Sequence, residues 1–278
     1  MDSSDLKSGG DAVDAKPVIL KETIEQPQGE DMQVDAKPDH AHPYRYNMNY
    51  PSIGQCIIIN NKNFDKKTGM NIRNGTDVDA GNLLNIFKMQ GYKVKVLNDQ
   101  TCKQIEQCLQ SIAREDHSKE ASFVCALLSH GDEGVLYGTD GCIEIKRLTS
   151  FFKGDRCKTL VGKPKLFFIQ ACRGTELDGG IEADSIESDS SPQKIPVEAD
   201  FLYAYSTAPG YYSWRNQVSG WVFIWNLCQM LKEHSKELEL MKILTRVNHS
   251  VAMHFQSATP DDQSNAKKTT KCHALCPG

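Results

Sequence analysis

A cysteine and a histidine follow two apolar runs of the sequence in positions suited to covalent chemistry. Cys172 comes just after the run 165–170, and His130 with Gly131 comes just after the run 123–128. A cysteine attacks as its thiolate, and a nearby imidazolium favours the thiolate and later protonates the leaving amine. A glycine lets a substrate carbonyl approach the backbone, so the N–H groups of Gly131 and Cys172 would bind an oxyanion. These residues predict acyl transfer.

The elements that must position these residues form an alternating pattern. Continuous apolar runs, typical of strands buried on both faces, predict strands at 56–60, 92–97, 122–129, 165–170 and 201–206. Apolar residues at helical spacing predict helices near 83–87, 105–112, 224–231 and 240–251, with Thr76 as the N-cap of the first. This alternation predicts an α/β sandwich around a mostly parallel sheet. Because such sheets place their ligands at the carboxyl ends of the strands, Cys172 and His130 should meet there.

Composition excludes several classes of function. The 278 residues carry 32 basic and 36 acidic side chains in mixed order, without the basic stripe that nucleic-acid binding requires. No stretch approaches the length and hydrophobicity of a membrane span or a signal peptide, so we expect no membrane partner and a cytoplasmic location. The ten cysteines are scattered, several within apolar runs, which favours reduced thiols over a disulfide framework.

Two polar segments punctuate the chain. Residues 1–43 are too polar to repay the entropy of ordering, and we interpret them as a disordered propeptide. They contain the repeat Val-Asp-Ala-Lys-Pro at 13–17 and 34–38, which presents Asp14 and Asp35 in the same context. Residues 175–193 carry six acidic and no basic side chains, and we expect an exposed, cleavable loop there.

Several segments together resemble one family over about residues 44–257. Gln-Ala-Cys-Arg-Gly with an upstream histidine is its local signature, and further matching segments are 56–64, 73–77, 128–131, 194–200 and 210–215. The chain resembles the effector caspases, of the caspase-three and caspase-seven type. The resemblance implies a caspase-like three-layer sandwich. It also implies an aspartate-directed cysteine endopeptidase, made as a zymogen, that executes proteolysis in apoptosis without a cofactor.

The resemblance also implies a substrate site. Arg73, Gln170 and Arg215 would line the pocket for the aspartate before the scissile bond, where a guanidinium grips a carboxylate in bidentate fashion. Tyr212 and Trp214 would flank the preceding substrate residue. The backbones of Ser213 and Arg215 would pair with the substrate as an added strand.

Maturation and partners follow from the same resemblance. Cleavage after Asp184, with propeptide cuts after Asp35 and Asp14, would divide the chain into a large-subunit region at 44–184, a linker at 185–198 and a small-subunit region at 199–278. The implied partners are proteins with exposed aspartates, upstream activating caspases, caspase inhibitors and a second copy of the processed chain.

The C-terminal part departs from the family pattern. Val222 occupies the place of a pocket tryptophan, and from about residue 258 the tail is polar where the family has an apolar strand. We expect Ala274 and Leu275 to be too few to pair along a sheet edge. The dimer that the family forms across this edge should therefore be loose or absent.

Other functions are considered beside this one. The main alternative is a truncated or weakly active caspase-like protein that acts by binding caspases or inhibitors. A nucleotide-binding domain would need Gly-x-Gly-x-x-Gly after a strand, which the sequence lacks. Cys272, His273 and Cys276 are soft ligands, but adjacent Cys-His is poor chelate geometry, and no metal is expected. The remaining histidines are interpreted as surface or hydrogen-bonded residues.

Overall fold

The computed structural model describes residues 45–172, 198–207, 215–216, 220–254 and 273–275. The predicted propeptide at 1–43 and residues 185–197 of the predicted linker lie outside these ranges. The described helices are α1 (Thr76–Met89), α2 (Cys102–Ala113), α3 (Ile145–Thr149), α4 (Val222–His234) and α5 (Leu240–His254), with short 3-10 turns at Lys66–Thr68, Ser150–Phe152 and Lys158–Leu160. The described strands are β1 (Ser52–Asn60), β2 (Lys93–Asn98), β3 (Glu120–Leu128), β4 (Gly131–Asp132), β5 (Val135–Tyr137), β6 (Cys142–Glu144), β7 (Lys165–Gln170), β8 (Phe201–Tyr205), β9 (Arg215–Asn216), β10 (Gly220–Trp221) and β11 (His273–Leu275).

The central sheet has six strands in the order β11-β8-β7-β3-β1-β2. All of its pairs are parallel except the edge pair of β11 with β8. The five long strands coincide with the predicted apolar runs, so the prediction of a mostly parallel α/β sheet is confirmed.

Helices cover both faces of this sheet. Successive residues of β1 point to opposite sides: Cys56 and Ile58 join the core beneath α1, α4 and α5, whereas Ile57 and Ile59 join the core beneath α2 and α3. The continuous apolar run of β1 thus reflects burial on two faces. The arrangement confirms the three-layer sandwich.

A small antiparallel sheet of β4, β5 and β6 follows the end of β3. Sequence reasoning missed it, because strands of two or three residues contain no apolar run long enough to be recognised. The sheet matters because Gly131 is its first residue.

The C-terminal tail corrects one prediction. His273–Leu275 forms β11 and pairs antiparallel with Tyr203–Tyr205 of β8, so the tail does supply an edge strand. The expectation that this segment is too short to pair was wrong. Edge pairing depends on backbone N–H and C=O groups, and a short segment with few apolar side chains can still provide them.

The start of α1 also differs from the prediction. Its N-cap is Gly75 with φ 85°, Thr76 is the first helical residue, and no side chain caps the helix. A left-handed backbone at the cap suits glycine and not threonine. The Thr76 hydroxyl instead forms hydrogen bonds with the side chains of Arg73 and Asn60.

None of the helices in the described ranges combines the length and hydrophobicity needed to cross a bilayer.

Candidate active site

The register of β3 and β7 brings Cys172 and His130 to the same edge of the sheet. Leu128 is the partner of Gln170 in the parallel pair, and the Ser129 N–H donates to the Gln170 carbonyl at 3.2 Å. Cys172 and His130 each follow this last pairing by two residues, and both are half-buried. Both residues therefore lie at the carboxyl ends of adjacent parallel strands, and their pairing in catalysis stays a prediction.

The imidazole of His130 is held by a backbone carbonyl. Its Nε2 lies 2.7 Å from the Asn71 carbonyl oxygen, and its ring packs against Phe64 with centroids 4.9 Å apart. A carbonyl only accepts, so Nε2 must carry a hydrogen, and Nδ1 is the basic nitrogen of the neutral ring. Sequence reasoning missed Asn71, because a carbonyl partner leaves no side-chain signal.

The main-chain path beside Cys172 requires glycine at position 131. A Cβ added to Gly131 would lie 2.7 Å from the Ala171 Cβ, 2.8 Å from the Val135 carbonyl oxygen and 2.9 Å from the Cys172 carbonyl oxygen. Two of these neighbours are backbone atoms that cannot rotate away. This close approach packs Gly131 against the backbone of Ala171 and Cys172. An oxyanion site formed by the N–H groups of Gly131 and Cys172 would need such packing.

Arg73 is a buried cation at this edge of the sheet. Its side chain is 1% exposed. Its Nη1 donates to the carbonyl of Asn61 at 2.9 Å and to the hydroxyl of Thr76 at 2.8 Å. Asn61 directly follows β1, and its N–H donates to the Leu128 carbonyl at 2.9 Å, so Arg73 is anchored at the carboxyl ends of β1 and β3. Burying a guanidinium costs much free energy unless the group pairs with an anion or donates its hydrogen bonds to fixed acceptors.

The other predicted substrate residues are covered only in part. Gln170 is fully buried at the end of β7. The backbone of Arg215 lies in β9, paired with Trp221 of β10. Outside the described residues lie Tyr212, Ser213 and Trp214 and the processing sites Asp14, Asp35 and Asp184.

Other cysteines are poor competitors for the role of nucleophile. Burial raises the pKa of Cys228 to about 12 and raises the pKa values of Cys56 and Cys125 as well. A thiol that resists ionisation in a closed core neither attacks nor reaches substrate. Cys142 is exposed but lies on β6, outside the strand ends that carry His130.

His117, one of the histidines outside the proposed site, is a hydrogen-bonded residue, as expected from the sequence. It is fully buried, with Nδ1 2.6 Å from the Glu120 carboxylate and Nε2 2.8 Å from the Ile112 carbonyl. Among the described residues, no group of three or more His, Cys, Asp or Glu side chains is arranged to hold a metal ion.

Comparisons with known proteins agree with this arrangement. Residues 53–275 match the family model described as Caspase domain. The chain is 59% identical to caspase-3 of Bos taurus over 228 residues, covering 82% of this chain and 83% of that protein. It is 60% identical to caspase-3 of Mus musculus over 228 residues, covering 82% of each chain. It is 51% identical to caspase-7 of Gallus gallus over 289 aligned residues, covering 97% of this chain and 94% of that protein.

Proposed function

Because this chain belongs to the caspase family, we propose that it cleaves peptides with Cys172 as nucleophile, His130 as acid/base group and the Gly131 and Cys172 amides as oxyanion donors. The chain is a cysteine endopeptidase of apoptosis that cleaves after aspartate. The juxtaposition of His130 and Cys172 by the β3–β7 register is the observation that carries the residue assignment. A role limited to binding other caspases or inhibitors is not favoured.

The chemistry assigns a task to each group. The Cys172 thiolate attacks the carbonyl carbon of the scissile bond, and the oxygen that becomes negative accepts hydrogen bonds from the two amides. His130 holds the proton on Nδ1, since Nε2 is engaged by the Asn71 carbonyl. That proton passes to the leaving amine as the C–N bond breaks, which leaves a thioester. A water molecule, deprotonated by His130, then hydrolyses the thioester and restores the thiolate.

The pocket for the substrate aspartate is proposed to contain Arg73, Gln170 and Arg215. Support comes from the burial and anchoring of Arg73 at the strand ends next to Cys172. Tyr212, Ser213 and Trp214 would supply the walls and the backbone edge for the preceding substrate residues. Val222, which opens α4, replaces a family tryptophan, so selectivity further from the cut should differ from that of typical members.

Family membership implies protein substrates and a dimer of processed subunits. We further propose that the chain is a cytoplasmic zymogen, cut after Asp184 between its large-subunit region, 44–184, and its linker. Trimming after Asp35 and Asp14 would remove the propeptide. Upstream caspases would make the first cut, and caspase inhibitors would bind the substrate cleft.

The residue assignment is tested by substitution at two cysteines. Purified Cys172→Ala should lose cleavage of peptides ending in aspartate, while Cys142→Ala, at an exposed thiol away from the site, should retain it. Peptides ending in Glu, Asn or Arg should be poor substrates of the wild type. Near-normal turnover by folded Cys172→Ala would refute the assignment.

A further inference from the structure

The hydroxyl of Thr76 lies in the interior, between Arg73 and β1. Thr76 is fully buried, and its Oγ1 accepts from Arg73 Nη1 at 2.8 Å and donates to Asn60 Oδ1 at 2.7 Å. The same Nη1 also donates to the Asn61 carbonyl at 2.9 Å. Both hydrogens of Nη1 are therefore directed to fixed acceptors, which sets the plane of the guanidinium.

The direction of this hydrogen-bond chain is determined at its far end. Asn60 Nδ2 lies 3.0 Å from Asp77 Oδ1 and 3.0 Å from Asn98 Oδ1. A carboxylate only accepts, so the NH₂ group of the Asn60 amide must face Asp77 and its oxygen must face Thr76. The Thr76 hydroxyl then gives its hydrogen to Asn60 and presents its lone pairs to Arg73.

The charge of Asp77 is itself secured. Lys62 Nζ lies 2.6 Å from Asp77 Oδ2, and this hydrogen bond lowers the pKa of the Asp77 carboxyl, with the Asn60 amide contributing in the same direction. Asp77 therefore stays ionised at neutral pH and keeps the orientation of the Asn60 amide. This hydrogen-bond chain joins the ends of β1 and β2 to the first turn of α1.

We propose that Thr76 is a positioning residue for aspartate recognition: its hydroxyl, oriented by Asn60, holds one corner of the Arg73 guanidinium so that the edge formed by Nε and Nη2 meets the substrate carboxylate. This rests on the role proposed above for Arg73. A bidentate ion pair depends steeply on the orientation of the guanidinium, so loss of one anchor weakens recognition without touching Cys172 or His130.

Thr76→Val tests the proposal, since valine keeps the volume and the β-branch and removes only the hydroxyl. A hydrogen bond to a charged group is strong, and we expect kcat/KM for aspartate peptides to fall by about tenfold to a hundredfold, mainly through KM. Thr76→Ser restores the hydroxyl and should recover most of the loss. The pH profile of kcat should not change, because the groups at the reacting carbon are intact. Thr76→Ala provides the same test should the valine variant not fold.

A double-mutant cycle with Arg73→Ala separates positioning from general stability. If Thr76 acts through Arg73, Thr76→Val should cause no further loss of kcat/KM in the Arg73→Ala background. An equal loss in both backgrounds would show a merely structural effect and overturn the inference. Full activity of Thr76→Val beside a damaged Arg73→Ala would overturn the inference alone, whereas full activity of Arg73→Ala would overturn the proposed pocket and the inference together.

Discussion

The proposed site at the carboxyl ends of β3 and β7 depends on a buried arginine and on a glycine with no room for a side chain. Arg73 places a permanent positive charge inside the protein at the carboxyl ends of β1 and β3. Such a charge rejects neutral analogues of aspartate, because they would leave the guanidinium without a counterion. In the proposed site, recognition and catalysis thus depend on different residues, and substitutions should damage them separately.

Arg73→Ala should raise the activation free energy derived from kcat/KM for aspartate peptides by roughly 2–5 kcal/mol, the usual effect of breaking a buried charge pair. Arg147→Ala is the matched control, because the Arg147 side chain is 62% exposed and pairs with Glu106 on the surface. Steady-state kinetics of both variants, beside their unfolding temperatures, provide the measurement. If Arg73→Ala cleaves aspartate peptides as well as the control does, the carboxylate binds elsewhere.

Gly131→Ala should lower kcat by at least about a hundredfold, because the added methyl group would displace the backbone that carries the proposed oxyanion donors. We also expect a loss of about 1–3 kcal/mol of stability from the clash with Ala171 and Val135. Gly81→Ala on α1 is the control, because the added Cβ would meet no atom within 4 Å apart from its chain neighbours and the backbone of its own helix. In a helix interior the control should gain roughly 0.5–1 kcal/mol. Normal turnover of Gly131→Ala would contradict the oxyanion assignment.

The places of site residues in the fold were predictable from the sequence where a motif or a resemblance pointed to a side chain. His130 and Cys172 follow recognisable strands, so their position at the same edge of the sheet could be predicted. The contact of His130 with the Asn71 carbonyl could not be predicted, because a backbone carbonyl leaves no mark in the side-chain sequence. The contact of the Thr76 hydroxyl with Arg73 could not be predicted either, because Thr76 resembles an ordinary N-cap threonine.

Among the elements, β7 begins with a lysine that the sheet buries. Lys165 is 2% exposed, and its ammonium donates to the carbonyls of Leu160 and Lys163 at 3.0 and 2.9 Å. Burial lowers the pKa of Lys165 from 10.5 to about 8, an effect that the carboxylate of Asp200 only partly offsets. The lysine connects the start of β7 to the turn before it, at the end of the sheet opposite to Cys172.

The titration of Lys165 predicts a pH dependence of stability. Between about pH 8 and 10.5 the unfolded state binds more protons than the folded state, so raising the pH relieves a penalty that is fully present below pH 8. The difference between the pKa of 10.5 in the unfolded state and about 8 in the folded state corresponds to about 3 kcal/mol of unfolding free energy. Denaturant unfolding of wild type and Lys165→Met across this range should show the wild type gaining stability relative to the variant. The other titrating groups are the same in both proteins, so their contributions cancel in the difference between the two unfolding free energies. Parallel curves would contradict the burial of a charged lysine.

Element prediction succeeded where one physical signal dominated. Continuous apolar runs identified β1, β3, β7 and β8, which are buried on one or both faces. It failed for β4 to β6 and for β11, since their pairing depends on backbone geometry and neighbouring strands. Tertiary context, absent from a local window of sequence, decides such short strands.

For the whole molecule, the tail strand bears on association. β11 covers part of the outer edge of β8 with three residues, and residues 256–272 before it are mostly polar. The dimer that family membership implies would gain little apolar burial if it formed across this edge, so we expect it to be loose and to dissociate in part at micromolar concentration. Sedimentation velocity measures this state directly, and removal of residues 273–278 should further expose β8 and promote aggregation. A tight, fully active dimer of the intact chain would contradict the expectation.

The pairing of β7 with β8 has a consequence for the mature enzyme. A cut after Asp184 would separate the two strands in the chain, yet five backbone pairs from Lys165–Phe201 to Ile169–Tyr205 and the stacked rings of Phe167 and Phe201 still join them. The processed protein would then be a case of fragment complementation: two polypeptides that share one core and hold each other folded. Unfolding of the processed protein includes the dissociation of its two polypeptides, so its apparent stability should rise with protein concentration. Loss of this β7–β8 pairing in the uncut chain involves no such dissociation, so it should not depend on protein concentration.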